Sequence, residues 1–348
     1  MTKATRGSGI SGDRLLAIAI ALMATLSLAA IGTGKTGASF TNLSMNPTNL
    51  ATTMLVQAPA SQNGATSAAA GVVGLSWAAT PTAPGAGHTL AYDVLRGPVG
   101  GPYSVIATTA GLTYNDTPAA DGSYGYVVRA KITGGGTFTS GDSPTRTGLS
   151  DRTAPTMSIA CNTISCAGWF TGTVSVVVSG VDAGTGIGSV TRNLDAAGQV
   201  SSAGASVTFS VSGQSTHTVA YFGTDAAGNA ASTANQTIKI DNAAPTAASN
   251  ITGVGGSQNG QIQLSWTKGT DSLSGVVSQT IRRSAAGAAA CPAVNVANYP
   301  ITYSPGAAAA TFLVTGLASG SKYCFYIVTA DAAGNSTNSL ASARIAAN

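Results

Sequence analysis

The chain has 348 residues, room for two or three domains, and only 8% of them are charged, against about 25% in an ordinary soluble domain. All twelve acidic residues are Asp, and setting aside Lys3, Arg6, Arg14, Lys35 and Asp13 (net +3) takes the formal charge from +4 to +1. No Lys/Arg run or basic stripe remains, which argues against binding nucleic acid through its phosphates. The missing Glu and scarce Lys, beside abundant Thr and Val, lean towards strands. After residue 31 no long apolar pattern of helical period occurs.

Lys3, Arg6 and Arg14 precede the apolar run Leu15 to Ile31, the basic and apolar regions of an export signal. The run is at the lower limit for a spanning helix, so residues 1–39 read as a signal peptide or an uncleaved anchor. The small residues 36–39 offer a cleavage site before Phe40. Gly32-Thr-Gly-Lys-Thr36 lacks the first Gly of a phosphate-binding loop, Ala29 standing in its place, and has no strand–loop–helix context.

Residues 40–57 form a lead segment, with a first strand expected at Met54-Leu-Val56. Val73, Leu75 and Trp77 then alternate on one face of GVVGLSW, as Tyr92 and Val94 do in LAYDVLR. Short strands follow at Tyr103–Thr108, Leu112–Tyr114 and Tyr124–Ala130, with Gly, Pro and Asp between them. Such spacing predicts an all-β sandwich rather than βαβ units. Residues 245–348 repeat the scheme: Ile262, Leu264 and Trp266 match Val73, Leu75 and Trp77, and Tyr323 matches Tyr124. Trp266 to Tyr323 spans 57 positions against 47 from Trp77 to Tyr124. The extra residues are expected within Ala285–Tyr303. Between these parts, Val174, Val176 and Val178 share one face of TVSVVVS, and joints at Ala154-Pro155 and Asn242-Ala-Ala-Pro245 bound the segment. His217 stands eight residues before Asp225 as Tyr323 stands eight before Asp331, each Asp opening the pentapeptide Asp-Ala-Ala-Gly-Asn.

These motifs carry resemblances. LSW, YDVLRG, GPYSVIA, TYNDT and GSYGYVVRA resemble a fibronectin type III domain over 58–150, and 244–348 resembles a second one. The resemblance implies that Trp77 and Trp266 are core tryptophans and that Tyr124 and Tyr323 are corner tyrosines, their hydroxyls tying the turn to nearby backbone. His217 takes the corner position in 151–243, where GWFTG, VSVVVSGVDAGTGIGSV, THTVAYFGTDAAGN and IKIDNAAPT resemble bacterial Ig-like repeats. The expected architecture is three tandem immunoglobulin-like/fibronectin type III β-sandwiches after an export signal helix. At the N-terminus, Phe40 and Asn49-Leu-Ala-Thr-Thr-Met-Leu55 weakly resemble the mature start of camelysin/TasA-type matrix proteins, with Thr52 in place of the pattern's Gly.

All four cysteines follow the signal, where an oxidising exterior favours disulfides. Cys161 with Cys166 would close a small loop, and Cys291 with Cys324 would pin the inserted loop; other pairings would link two domains. Cys324 is out of phase with Tyr323, Phe325 and Ile327, so it is expected on the outer face as a surface clamp. No CxxC pair exists and neither histidine is close to a cysteine, so zinc is not expected.

Catalytic chemistry has little support. The chain contains only His88 and His217 and no Gly-x-Ser-x-Gly elbow; Gly141-Asp-Ser143 is a lone tripeptide. Without Glu, paired carboxylates for glycoside hydrolysis are unpromising. Asp182 and Asp271 lie in corresponding loops, Asp225 and Asp331 in later turns. One Asp per loop falls short of calcium's six to eight oxygens, so these residues are expected to bind their own turn backbone, with Gly228 or Gly334 at positive φ. Neither a metal nor a cofactor is expected. Trp169 and Phe170 read as a packed lid over the sandwich end or as a stacking platform for sugar. The sequence therefore points to a non-catalytic surface or matrix protein of adhesion, spacing or assembly, the alternative being an accessory carbohydrate-binding protein. Its partners would be an extracellular protein or polysaccharide, not nucleic acid, with membrane contact only through an uncleaved N-terminus.

Overall fold

A computed structural model describes residues 55–287 and 289–348. The export segment, the Phe40 junction and Met54 lie outside the described residues. The chain divides into two compact units, Met1–Asp151 and Arg152–Asn348.

In the first unit the strands are β1 (Gln62–Ala68), β2 (Val72–Trp77), β3 (Thr89–Gly97), β4 (Ser104–Thr109), β5 (Thr113–Asp116), β6 (Gly122–Thr133), β7 (Thr137–Thr139) and β8 (Arg146–Ser150). One sheet has the order β1-β2-β5, the other β4-β3-β6-β7 with β8 also on β6. Val73, Leu75 and Trp77 of β2 meet Tyr92, Val94, Tyr126, Val128 and Ile132 between the sheets. The period-2 pattern thus buries one face of each strand, each large apolar side chain contributing about 1.5–3 kcal/mol. Trp77 packs edge-on to Tyr92, ring centroids 5.8 Å apart. Beside this core Arg96 pairs with Asp116 at 2.8 Å, and Asp116 also accepts the Tyr126 hydroxyl at 2.7 Å. Burial, reinforced by that bond, pushes the Tyr126 phenol up.

The second unit holds two sandwiches. The first contains β9 (Thr156–Cys161), β10 (Trp169–Phe170), β11 (Val174–Val181), β12 (Ile187–Leu194), β13 (Gln199–Ala203), β14 (Ser206–Val211), β15 (Ser215–Asp225) and β16 (Ala234–Ile240). Its sheets run β14-β11-β9 and β10-β16-β15-β12-β13, with β10 parallel to β16. Val174, Val176 and Val178 face Val190, Val219, Ile238 and Ile240 across the core. The last sandwich contains β17 (Ser249–Gly255), β18 (Ile262–Thr267), β19 (Val276–Arg283), β20 (Ile301–Tyr303), β21 (Thr311–Val314), β22 (Lys322–Tyr323), β23 (Phe325–Asp331), β24 (Ser336–Asn338) and β25 (Ile345–Ala346). Its sheets are β17-β18-β21 and β20-β19-β23-β24, with β22 continuing towards β23 and pairing with β25. The core joins Ile262, Leu264 and Trp266 to Ile281, Tyr323, Phe325 and Ile327. The outer two sandwiches share one pairing scheme, in which a three-stranded sheet faces a larger one, and the middle sandwich is arranged differently. Among the described residues no helix is long and apolar enough to cross a membrane.

Several expectations need correcting. Val56 is buried in the core without being part of a strand, and the first strand among the described residues is Gln62–Ala68; its QNGATSA has too little apolar alternation to be read from sequence. Cys324 does lie on the outer face of its sheet, but it is 1% exposed rather than a surface clamp. The inserted loop folds over that face, and Tyr299, Cys324 and Tyr326 form a small second core with Cys291, Val294 and Val328. A period-2 argument gives the side of a sheet and not what covers it.

Candidate functional site

The chemically suggestive side chains gather at corners, turns and one joint. At the corners, the Tyr124 hydroxyl donates to the Ala120 carbonyl at 2.9 Å, and the Tyr323 hydroxyl accepts the Ala318 N–H at 2.9 Å. His217 does the same with a ring nitrogen: Nε2 lies 3.0 Å from the Gly213 carbonyl, and Nδ1 lies 2.7 Å from Asp195. Both ring nitrogens therefore face acceptors, which favours the doubly protonated ring. The bond to Asp195 pushes the His217 pKa up, and the same bond pulls the Asp195 carboxyl down. Asp195 and Ala196 have φ of 50° and 57° at the turn joining β12 to β13, a type I′ geometry that Gly usually supplies. The Asp195 carboxylate, bonded to His217 and to the Thr218 N–H, anchors that turn.

Among the turn aspartates, Asp225 accepts the N–H groups of Gly228 and Asn229, and Asp331 accepts that of Asn335. Gly228 and Gly334 have φ of 100° and 95°. Asp182 accepts from Gly184 and Gly186, and Asp271 from Leu273 and Gly275. These are self-capping turns. Folding also brings the aspartates together, which a loop-by-loop reading misses. Asp241, Asp271 and Asp331 each place a carboxylate oxygen within 4.8 Å of the others, and Asp241 and Asp331 are buried. Asp241 comes from the end of β16, and Asp271 and Asp331 from turns of the last sandwich. Calcium takes six to eight oxygens, and here N–H donors already serve the carboxylates. Asp241 accepts from Ala243 and Ser274; burial pushes its carboxyl up, but bonds from Ser274 and Ala243 outweigh this and leave the pKa lowered. The Asn335 amide lies 3.0 Å from the Asp241 carbonyl, 3.2 Å from that of Ala243 and 2.9 Å from the Asp331 carboxylate. The turn of the last sandwich is thus tied to the end of β16 from the one before it.

One structural device was missed in the sequence. In both outer sandwiches the final strand is interrupted, between β7 and β8 and between β24 and β25, and two serines bridge the gap. Ser140 and Ser143 Oγ accept the N–H groups of Ala130 and Val128 at 2.9 Å, and Ser339 and Ser342 Oγ accept those of Ile327 and Phe325 at 2.8 and 3.0 Å. Each hydroxyl also donates to the carbonyl of the following residue. Ser-x-x-Ser after each Tyr-bearing strand is the signal, visible only once the two domains are aligned. Gly141-Asp-Ser143 is thereby part of a strand bridge.

Trp266 Nε1 donates to Gln279 at 2.8 Å, whereas buried Trp77 Nε1 has no partner among the described residues. Trp169 and Phe170 are half-buried; Phe170 packs on the core, and Lys239 Nζ lies 5.7 Å from the Trp169 ring centroid. The disulfides are Cys161–Cys166 and Cys291–Cys324. Residues Ala247–Ile251 and Asn338, with Leu340–Ala343, line an open depression of about 630 Å³.

No protein-family model matches the chain, and no curated protein matches it. The weak camelysin/TasA resemblance of the N-terminal junction is accordingly not borne out. Among solved structures, the chain is similar to the chicken CNTN1 FN1-FN3 domains at 11% identity and a TM-score of 0.32, covering 85% of this chain and 100% of that one. It is also similar to domains A168-A170 of titin at 12% identity and a TM-score of 0.40, covering 83% and 99%.

Proposed function

We propose that the chain is an exported, non-catalytic spacer or adhesion protein whose second unit works as a stiff pair of sandwiches. The observation that carries this is the Asn335 amide bridging the Asp331 turn to the Asp241 and Ala243 carbonyls. Groups that elsewhere do chemistry serve here to hold backbone: His217 and Asp195 a corner, Ser143 a strand gap, Asp331 a turn. Two disulfides suit an oxidising exterior.

Spin labels on Thr208→Cys and Thr311→Cys, exposed residues of β14 and β21, test the stiffness by electron–electron distance measurement. A single narrow distribution is expected, broadening in Asn335→Ala; a broad distribution in the parent chain overturns the spacer reading. Export is tested by the N-terminal residue of the chain recovered outside the producing cell. A start near Phe40 is expected, and retention in the cytoplasm refutes the reading.

A further inference from the structure

The last sandwich separates its charges. Within 244–348 the only acidic residues are Asp271 and Asp331, both in the turn cluster with Asp241. Besides Lys268, which follows β18 in the other sheet, the cations of the same stretch are Arg282, Arg283, Lys322 and Arg344. None of the ion pairs among the described residues involves any of these four.

Three of them share one face. Arg282 is paired in register with Tyr326 and Thr302, so it points to the side of the sheet where Tyr326 lies, away from the main core. Lys322 precedes Tyr323, which faces the core, and Arg344 precedes Ile345, which is paired with Tyr323 and also faces the core. Alternation puts Lys322 and Arg344 on the Cys324 side. The fourth cation, Arg283, stacks over the Tyr323 ring at 4.7 Å and donates to the Tyr303 hydroxyl at 3.0 Å, so it serves the sandwich edge.

Between Arg282 and Arg344 lies the inserted loop, residues 285–300, which carries no charged side chain. The Cys291–Cys324 bond and the Tyr299–Tyr326 pair, centroids 4.9 Å apart, hold it to the sheet. The face that carries these cations is therefore covered by a pinned loop rather than a free one. Exposed Asn295, Thr302 and Asn338 add neutral hydrogen-bonding groups.

We propose that this face binds a carboxylate-bearing polysaccharide, an inference that rests on the extracellular reading above. Charge complementarity favours this occupant: three cations without a carboxylate among them set up a field that a repeating anion satisfies. Amides and hydroxyls between them suit sugar hydroxyls. A single-stranded nucleic acid would want exposed aromatic rings for its bases, and here Tyr299 and Tyr326 are buried.

The test is retention of the full chain on immobilised polygalacturonate, on a poly(glycerol phosphate) polymer, on neutral dextran and on double-stranded DNA, at low salt and at about 0.15 M. Retention on polygalacturonate, weakened by salt and at least about tenfold above dextran, is expected, about 1.4 kcal/mol in binding free energy. The triple variant Arg282→Gln/Lys322→Gln/Arg344→Gln should lose it, while Lys239→Gln, a control in the middle sandwich, should keep it. An unchanged melting temperature shows that the triple variant is folded; if it is not, Lys322→Gln/Arg344→Gln, both at exposed positions, replaces it. Tighter retention on the phosphate polymer or on DNA, equal retention on dextran, or full retention by the variant overturns the proposal. Such failures leave the distance and export measurements untouched, so the two readings fail separately.

Discussion

Removing a bridging serine should cost more than its size suggests. Ser342 is 6% exposed, and its Oγ takes the N–H of Phe325, which is 0% exposed. In Ser342→Ala that N–H keeps its burial and loses its acceptor, at about 1–3 kcal/mol. The Ala343 carbonyl, which loses a donor, belongs to an exposed residue and turns to water at little cost. Ser143→Ala should be worse. Its Oγ accepts from Val128 N and also lies 3.0 Å from Gln62 Nε2, in a side chain 1% exposed. Gln62 keeps its bond to the Tyr126 carbonyl, so the excess over Ser342→Ala should be about 1 kcal/mol. Urea unfolding of each variant gives the cost, and amide exchange at Phe325 and Val128 locates it. For a domain of 60–100 residues, 1 kcal/mol moves Tm by about 4–8 °C. If both variants stay within about 0.5 kcal/mol of the parent chain, the range of an ordinary surface change, or if the two amides keep their protection, the serines are not bridges.

Two further tests concern the pH response and the inserted loop. His217 has a raised pKa, so its contribution is complete below the ordinary histidine value and fades as pH rises through the folded one. Asp195 is lowered, so its share is present above the ordinary carboxylate value and fades as pH falls through its folded one. The parent chain should thus exceed His217→Gln in stability by more at about pH 5.5 than at about pH 8.5. Asp195 is 45% exposed, which keeps the difference below about 1 kcal/mol; a gap that widens with rising pH refutes the pairing. For the disulfides, Cys291–Cys324 spans 33 positions and Cys161–Cys166 spans 5. Chain entropy gives about 4 and about 2 kcal/mol respectively. Denaturant unfolding of the paired Cys→Ser variants should rank them so. Equal costs would mean that the insert is held by its Tyr299–Tyr326 packing and not by the covalent bond.

The cores of the two outer sandwiches were legible because alternation is a local signal. Val73-x-Leu-x-Trp77 and Ile262-x-Leu-x-Trp266 state which face is buried, and the structure buries it. The sequence also carries the turn aspartates, since an Asp reaching its own loop and a Gly at positive φ lie within five residues. What it hid was long-range. β1 and β17 carry no alternation that marks them in the sequence; their backbones are ordered by pairing with β2 and β18. The Asp241–Asp271–Asp331 convergence spans ninety positions of chain. The cover over Cys324 depends on where an insertion folds, which no periodicity encodes.

The absence of Glu links the turns to the charged face. All six aspartates of the second unit accept backbone N–H groups: Asp182, Asp195, Asp225, Asp241, Asp271 and Asp331. In all but Asp195, which takes the N–H of Thr218, the carboxylate must reach an N–H two to four residues away, work that favours a short side chain because a further methylene adds rotamer freedom to be lost. Acid selected for turns is placed by turn geometry and cannot also neutralise distant cations. The cations of the last sandwich are consequently left without carboxylate partners among the described residues: Lys268 after β18, Arg282, Lys322 and Arg344 on one face, and Arg283 on an aromatic ring. A net charge near neutral thus coexists with a locally positive surface. Carboxylates supplied from outside the chain are the partner such a surface lacks, so replacing Asp271 or Asp331 should alter the turn cluster and leave retention on polygalacturonate unchanged.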